Sequence, residues 1–527
     1  MSSAKEPVMR RFGNGLTVLI KEDKSHPVVS LQYWVGTGSM NEGHWQGSGL
    51  SHLLEHLVFK GTAHFSGQEL ARKVQERGGH WNAYTSVNRT VYYIDGPAES
   101  WQIFLNLLTE LVFFPTFPED EMEREKEVVR REMAMYADDP DSVAYQLLMQ
   151  TLYLKHPCRW PVLGERAAFD CLTRQDVLDY HASRYVPNNV VLSIAGDVDA
   201  AEILSHLELL VEDLKSRPLN REPIPHEPHQ FGSRRVRKEF AVPYSKLHLA
   251  WRLPCSAHPD TPALSALSSI LGGGRSARFY EKFHDRLGLV YSIEVHSNQS
   301  ETDEGAFTIS MDVDRAQRDK VRDLVLQELR NLAEEDFTED LKRVCKQTRV
   351  SRLRRRSSAS GVASEMGADW FGSRNLNLSS EWQEAIERVT TEDLHRVCST
   401  WLSSPNVTEV SLDPPGSNAG DEERASASAG TALSEHVLGN GMKVVIREDH
   451  RLPLAYACMA FKAGCRAENE HDAGVTDLMS ECLLKGTSTR SAADIARFLE
   501  DIGGAINTST GNNSLSVGCQ VLAEDLD

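Results

Sequence analysis

The chain has 527 residues, 40% apolar and 25% charged, enough for three or four soluble domains of ~150 residues each. Its net charge of −19 argues against a nucleic-acid binder and against attraction to anionic membrane surfaces. No apolar run nears the ~18 residues of a membrane helix, no signal-peptide core opens the chain, and nine cysteines without a CxxC pair read as reduced thiols, so a cytoplasmic setting is expected.

Leu16 to Glu22 is predicted as a strand behind the turn signal Asn14-Gly15, and Val28 to Val35 as a second strand. Leu50 to Phe59 is predicted as a helix that stops at Gly61. This helix carries His52-Leu53-Leu54-Glu55-His56. Residues i and i+4 leave one helix face, so His52 and His56 can offer two nitrogens to one metal ion. Glu55 borders that face and can reach a water there without taking a coordination position, as a general base must. The neighbours Leu50, Leu53, Leu54, Leu57 and Val58 are apolar, and polar groups set among core residues need partners.

Thr90 to Ile94 is predicted as a strand, and Pro118 to Tyr136 as a long helix whose first-turn acids suit its dipole. On that helix Met122, Glu125, Val129, Glu132 and Tyr136 form one stripe. Glu125 and Glu132 therefore share the inward face, while Glu123, Arg124, Lys126, Glu127, Arg130 and Arg131 mostly cover the wet side. A tetrahedral catalytic zinc wants a third protein ligand, and spacing does not choose between the two glutamates. Asn188 to Gly196 is a further strand. Strands and helices that adjoin so irregularly predict α+β, with helices on one face of a largely antiparallel sheet.

The glycine-rich run Leu271 to Arg278 lacks the Gly-Lys-Ser/Thr of a phosphate loop. Two segments read as boundaries: Ser216 to Ser233, rich in Pro and His, and Pro414 to Leu433, built from Pro, Gly, Ser, Ala and charges. The expected domains are 10–215, 235–413 and 434–527, with 414–433 a flexible linker. The last domain repeats the first. Gly13-Asn14-Gly15 matches Gly439-Asn440-Gly441, Lys60-Gly61-Thr62 matches Lys485-Gly486-Thr487, and Gly78-Gly79 matches Gly503-Gly504. In the second copy His52, Glu55 and His56 become Asp477, Ser480 and Glu481. The fold does not need the motif, so its presence in the first copy points to function. The last piece is about half the first domain, so an incomplete form of a four-domain protein is expected, with 434–527 loosely ordered.

The run Gly49 to Thr62, followed 76 residues after His56 by Glu132, resembles the pitrilysin/insulinase family of zinc peptidases. Its HxxEH inverts the HExxH of thermolysin-like enzymes, and the group includes the mitochondrial processing peptidases. The resemblance covers 10–413 as a first two-domain half and 434–527 as the start of a second. It implies the α+β metallohydrolase fold of that family and an endopeptidase acting on peptides or unfolded polypeptide in a clamshell chamber. It implies one Zn2+ per chain held by His52, His56 and Glu132, with Glu55 as general base and Glu125 orienting a ligand. His80 to Thr85 is similar to the family's substrate-binding edge, at Asn82 and Ala83, and a strand edge with a small Ala suits β-augmentation. Tyr291 would donate to the developing oxyanion. The family usually places Arg seven residues before this Tyr. Here His284 stands there, so either Arg286 substitutes or substrate anchoring is weaker or pH-dependent. The chamber would be closed by a C-terminal half or by homodimerisation. The alternative reading is a non-catalytic or partner-dependent peptide-binding subunit.

Overall fold

The computed structural model describes residues 6–219, 223–298, 305–402, 405–416, 434–446 and most of 454–523. The chain forms two compact units, residues 1–421 and 422–527. The first unit opens with a six-stranded sheet of β1 (Val8–Arg11), β2 (Thr17–Glu22), β3 (Val28–Val35), β4 (His80–Thr85), β5 (Thr90–Pro97) and β6 (Val190–Gly196). Their order is β1-β2-β6-β3-β5-β4, and only β2 and β6 run parallel. The strand β4 pairs with β5 alone and forms a sheet edge. A five-stranded sheet follows: β7 (Arg234–Glu239), β8 (Ser245–Leu253), β9 (Val290–Asn298), β10 (Gly305–Val313) and β11 (Thr408–Asp413). Its order is β7-β11-β8-β10-β9, with β7 and β11 parallel. This is the α+β class with largely antiparallel sheets that the sequence predicts.

The helices Leu50–Val58, Trp101–Phe113, Arg174–Arg184 and Ala200–Leu210 cover one face of the first sheet, over a core that includes Leu31, Tyr33, Tyr92 and Ile194. Its other face is closed by a helix from far along the chain, Ala359–Ser373. There Ala363 and Met366 pack on Leu19, Trp34, Val91 and Val191. Ser193 Oγ donates to the Ala363 carbonyl at 2.7 Å, and Gln32 Nε2 to that of Ser360 at 3.1 Å. The exchange is reciprocal. The helix Pro140–Leu152 carries Leu148 and Leu152 onto Ala250, Ala306 and Val410 of the second sheet. The exchange also explains β6, which is buried at all seven positions. A strand covered on both faces reads as a continuous apolar run instead of an alternating one.

The contact at Gly367 gives a direct test of this interlock. A Cβ there would approach the Trp34 indole to 2.4 Å, and Trp34 is only 2% exposed, so the ring has little room to retreat. Alanine in a helix gains roughly 0.5–1 kcal/mol over glycine. Overpacking a tight core costs about 1–3 kcal/mol, so the clash should win. Gly367→Ala is expected to unfold at lower denaturant than wild type. An unchanged midpoint in urea would show that Trp34 yields.

The second unit holds a hairpin of β12 (Ser434–Val437) and β13 (Lys443–Ile446), the helix Val475–Leu483, and β14 (Leu454–Phe461), β15 (Ala505–Thr510) and β16 (Leu515–Leu522) in the order β14-β16-β15. Many of its apolar residues are open: Val445, Met459 and Leu478 are 58%, 50% and 64% exposed, while Leu515 and Val521 are buried. The repeat is visible in the backbone, since Gly441 and Gly474 take positive φ as Gly15 and Gly49 do. Most of the expected linker 414–433 and the pair Gly503-Gly504 lie outside the described residues.

Candidate metal centre

The motif helix Leu50–Val58 starts after Gly49, which sits at φ +72° with the Leu163 carbonyl 2.0 Å from where a Cβ would be. Only glycine fits that position. Buried Leu50, Leu53, Leu54 and Leu57 fix one side of the helix in the core. His52 and His56 then project from the other side, with ring centroids 4.7 Å apart.

The helix Glu119–Asp138 crosses this face. Glu132 Oε2 lies 3.8 Å from His52 Nε2 and 3.9 Å from His56 Nε2. Ligand atoms of His52, His56 and Glu132 all lie within 4.8 Å of one another. Two imidazoles and a carboxylate are the donor set of a catalytic zinc site, whose bonds are about 2.0–2.2 Å long, so these residues fit such an ion. The side chains are 12%, 24% and 27% exposed in the same order, leaving the cluster reachable from solvent.

Glu125 faces the same cluster from one step back. Its Oε2 lies 3.1 Å from His56 Nδ1, and its Oε1 lies 2.6 Å from Lys60 Nζ. Burial opposes the charge on Glu125, but the His56 and Lys60 contacts outweigh it and hold the carboxyl below its usual range. Burial likewise opposes a proton on His56, yet the hydrogen bond to Glu125 and the charges of Glu55, Glu125 and Glu132 raise its pKa. His52 lacks such support. Burial, with His56 adding to it, pushes its pKa down to about 3, the state in which an imidazole can ligate. Glu55 accepts a hydrogen bond at Oε2 from Thr85 Oγ1 at the end of the edge strand β4. Burial lifts the Glu55 pKa and the Thr85 bond partly opposes it.

The structure thus brings His52, Glu55, His56, Glu125 and Glu132 together. The expected stripe on the glutamate helix needs two corrections. Met122, Glu125 and Val129 are buried, but Tyr136 emerges at 46% exposure as the helix leaves the core. Lys126 is buried instead of wet, because its Nζ donates to the Leu172 carbonyl at 2.8 Å. Asn82 and Ala83 do lie on the sheet edge, where the Asn82 side chain accepts from the Ala83 N–H at 2.8 Å. Tyr291 lies on β9, an edge of the second sheet, with its ring against Tyr244, and makes no hydrogen bond to the cluster among the described residues. His284 and Arg286 occupy a π-helical turn, Tyr280–Arg286. His284 pairs with Asp285 at 2.7 Å and Arg286 with Glu281 at 2.5 Å, so any peptide they anchored would compete with their own acids.

Lys60, Thr85 and Glu42 escaped the sequence reading. Lys60 had only a weak signal, standing four residues beyond His56 but in the turn after the helix ends at Val58. Thr85 had none, since its contact with Glu55 depends on how β4 meets the helix.

Residues 17–166 and 443–527 match the family described as insulinase (peptidase family M16), and residues 172–347 match the one described as peptidase M16 inactive domain. An uncharacterized zinc protease of Rickettsia felis is 27% identical over 406 residues, spanning 75% of this chain and 94% of its own. An uncharacterized zinc protease of Mycobacterium bovis is 30% identical over 299 residues, spanning 55% of this chain and 67% of its own. Among solved structures, a protease from Helicobacter pylori superposes with a TM-score of 0.71 at 26% identity, covering 78% of this chain and all of that one. No helix among the described residues is long and apolar enough to cross a membrane.

Proposed function

The chain belongs to the insulinase (M16) family of peptidases, and on that footing we propose that it is a zinc-dependent endopeptidase acting on peptides or unfolded polypeptide segments. The observation that carries this reading is the convergence of His52, His56 and Glu132 with Glu55 beside them. His52, His56 and Glu132 would hold one zinc per chain. Bound there, zinc supplies a Lewis acid that polarises the scissile carbonyl and makes water easier to deprotonate.

The remaining work falls to side chains. Thr85 holds Glu55 through Oε2, leaving Oε1 to take a proton from the attacking water and pass it to the leaving amine. Glu125 holds His56 at Nδ1, which orients Nε2 toward Glu132, and Lys60 holds Glu125. The peptide would extend the sheet along β4, with Asn82 giving up the Ala83 N–H to it. Tyr291 would donate to the oxyanion once the second sheet's edge meets the substrate, and His284 and Arg286 would anchor the chain. A second half, or a second copy of residues 10–413, would close the chamber.

A non-catalytic peptide-binding subunit is the second reading, favoured by the match of 172–347 to a domain described as inactive. That match leaves out the motif helix, which falls in the other family model. The test is digestion of unfolded casein followed by mass spectrometry. Cleavage should stop with 1,10-phenanthroline and return with added zinc. Zinc-loaded protein that binds peptide but cleaves nothing would favour the second reading.

Thr85→Val should shift the pH profile in a known direction. Glu55 acts as base only when ionised, and the Thr85 hydroxyl stabilises that form. Losing it raises the Glu55 pKa, so the acidic limb of kcat/KM should move to higher pH. A limb that stays in place would show that Thr85 does not act through Glu55.

A further inference from the structure

We propose that Glu42 is the positioning residue for His52, holding the first turn of the motif helix as Glu125 holds the His56 ring. The two imidazoles are supported differently. His56 is fixed from the side at Nδ1 by Glu125, 3.1 Å away. His52 Nδ1 is buried and has no hydrogen-bond partner among the described residues. Among the described residues no side chain fixes the His52 ring at Nδ1 as Glu125 fixes His56, so its place depends more on where the backbone puts it.

That backbone begins at an unusual start. The first N–H groups of a helix have no partner within it. Gly49, the residue before the first turn, has no side chain to cap them. The acceptor comes from Glu42 instead, whose Oε1 receives the Ser51 N–H at 2.8 Å, one residue before His52. Glu42 is fully buried. Ser51 is tied a second time through its hydroxyl, 2.8 Å from Tyr180 OH, which lies 2.6 Å from Thr37 Oγ1. A carboxyl taken wholly out of water is expensive, and burial lifts its pKa to about 8. The fold retains it because it fixes the start of the helix.

The second copy provides an internal control. Glu468, the counterpart of Glu42, accepts the Gly474 N–H at 2.7 Å and the Thr476 N–H at 2.8 Å, the counterparts of Gly49 and Ser51. No imidazoles follow there, so the fold uses this helix cap even without the histidine pair. In the first copy the same cap sits one residue from a candidate ligand, and its loss should be read at the metal.

The inference rests on the zinc reading, and one titration separates the two. Zinc is titrated against a competing chelator, on protein shown to be folded by circular dichroism. Glu42→Ala is expected to bind zinc ~10–100-fold more weakly, the size of effect seen for groups behind a ligand. Glu42→Gln keeps the Oε1 acceptor and should stay within about threefold of wild type. Gly367→Ala, destabilised on the far face of the sheet, should keep its zinc affinity and so separates positioning from stability. If Glu42→Ala fails to fold, Glu42→Asp decides in its place: its acceptor is drawn back by one methylene and zinc binding should weaken. A wild type that binds no zinc refutes the metal reading and this inference with it. A wild type that binds zinc beside a folded Glu42→Ala, or Glu42→Asp, of equal affinity overturns the role of Glu42 alone.

Discussion

Glu55→Gln is expected to keep its full zinc content and to lose about 10²–10⁴-fold in kcat, the usual worth of a positioned general base. The amide is nearly the same shape, so the Thr85 hydroxyl still finds an oxygen to donate to and the helix is undisturbed. What disappears is the lone pair that takes the water's proton. Glu55 contributes no atom to the cluster of His52, His56 and Glu132, so zinc should stay. Measuring zinc by elemental analysis and turnover on one peptide separates the two effects. Near-wild-type turnover at full zinc would remove Glu55 from the mechanism.

Glu132→Gln and Glu125→Gln should part company at the metal. Glu132 Oε2 stands between both imidazoles at 3.8 and 3.9 Å, so replacing it removes one charged donor of three. Glu125 touches His56 at the ring nitrogen facing away from Glu132, and its replacement loosens an orientation without deleting a ligand. The first variant should lose most of its zinc in a chelator competition, whereas the second should weaken binding only ~10–100-fold. If Glu125→Gln empties the site and Glu132→Gln leaves it filled, the two roles are reversed.

Much of this site could be read in the sequence because helical periodicity is local. His52 and His56 must share a face once Leu50 to Val58 is a helix, and Glu125 and Glu132 must share one on theirs. What periodicity could not do was rank the glutamates. That ranking depends on the crossing of two helices some seventy residues apart in the chain, visible only in the distances to His52 and His56. Tyr136 and Lys126 show the same limit from the other side. Their exposure follows from where the helix leaves the core and from the Leu172 carbonyl that meets Lys126, and neither is written in the helix itself. Glu42 was hidden differently. It sits outside any element with a period, and the repeat held the hint in Glu468. The closure of the first sheet by residues 359–373 left only an indirect trace, the run of β6 that is apolar but for Ser193.

That closure sets a timetable for synthesis. The last strand of the first sheet ends at Gly196, but the helix that seals its second face ends at Ser373, about 180 residues later. At the ~5–20 residues per second of a ribosome, the face bearing Trp34, Val91 and Val191 stays open for roughly 10–35 s on every nascent chain. His52, Glu55, His56, Glu125 and Glu132 are all made by then, yet the sheet that aligns them is half-wet and sticky. A gene split between the two halves would make this interval permanent, and residues 10–215 produced alone should precipitate or bind chaperones until the later helix is supplied.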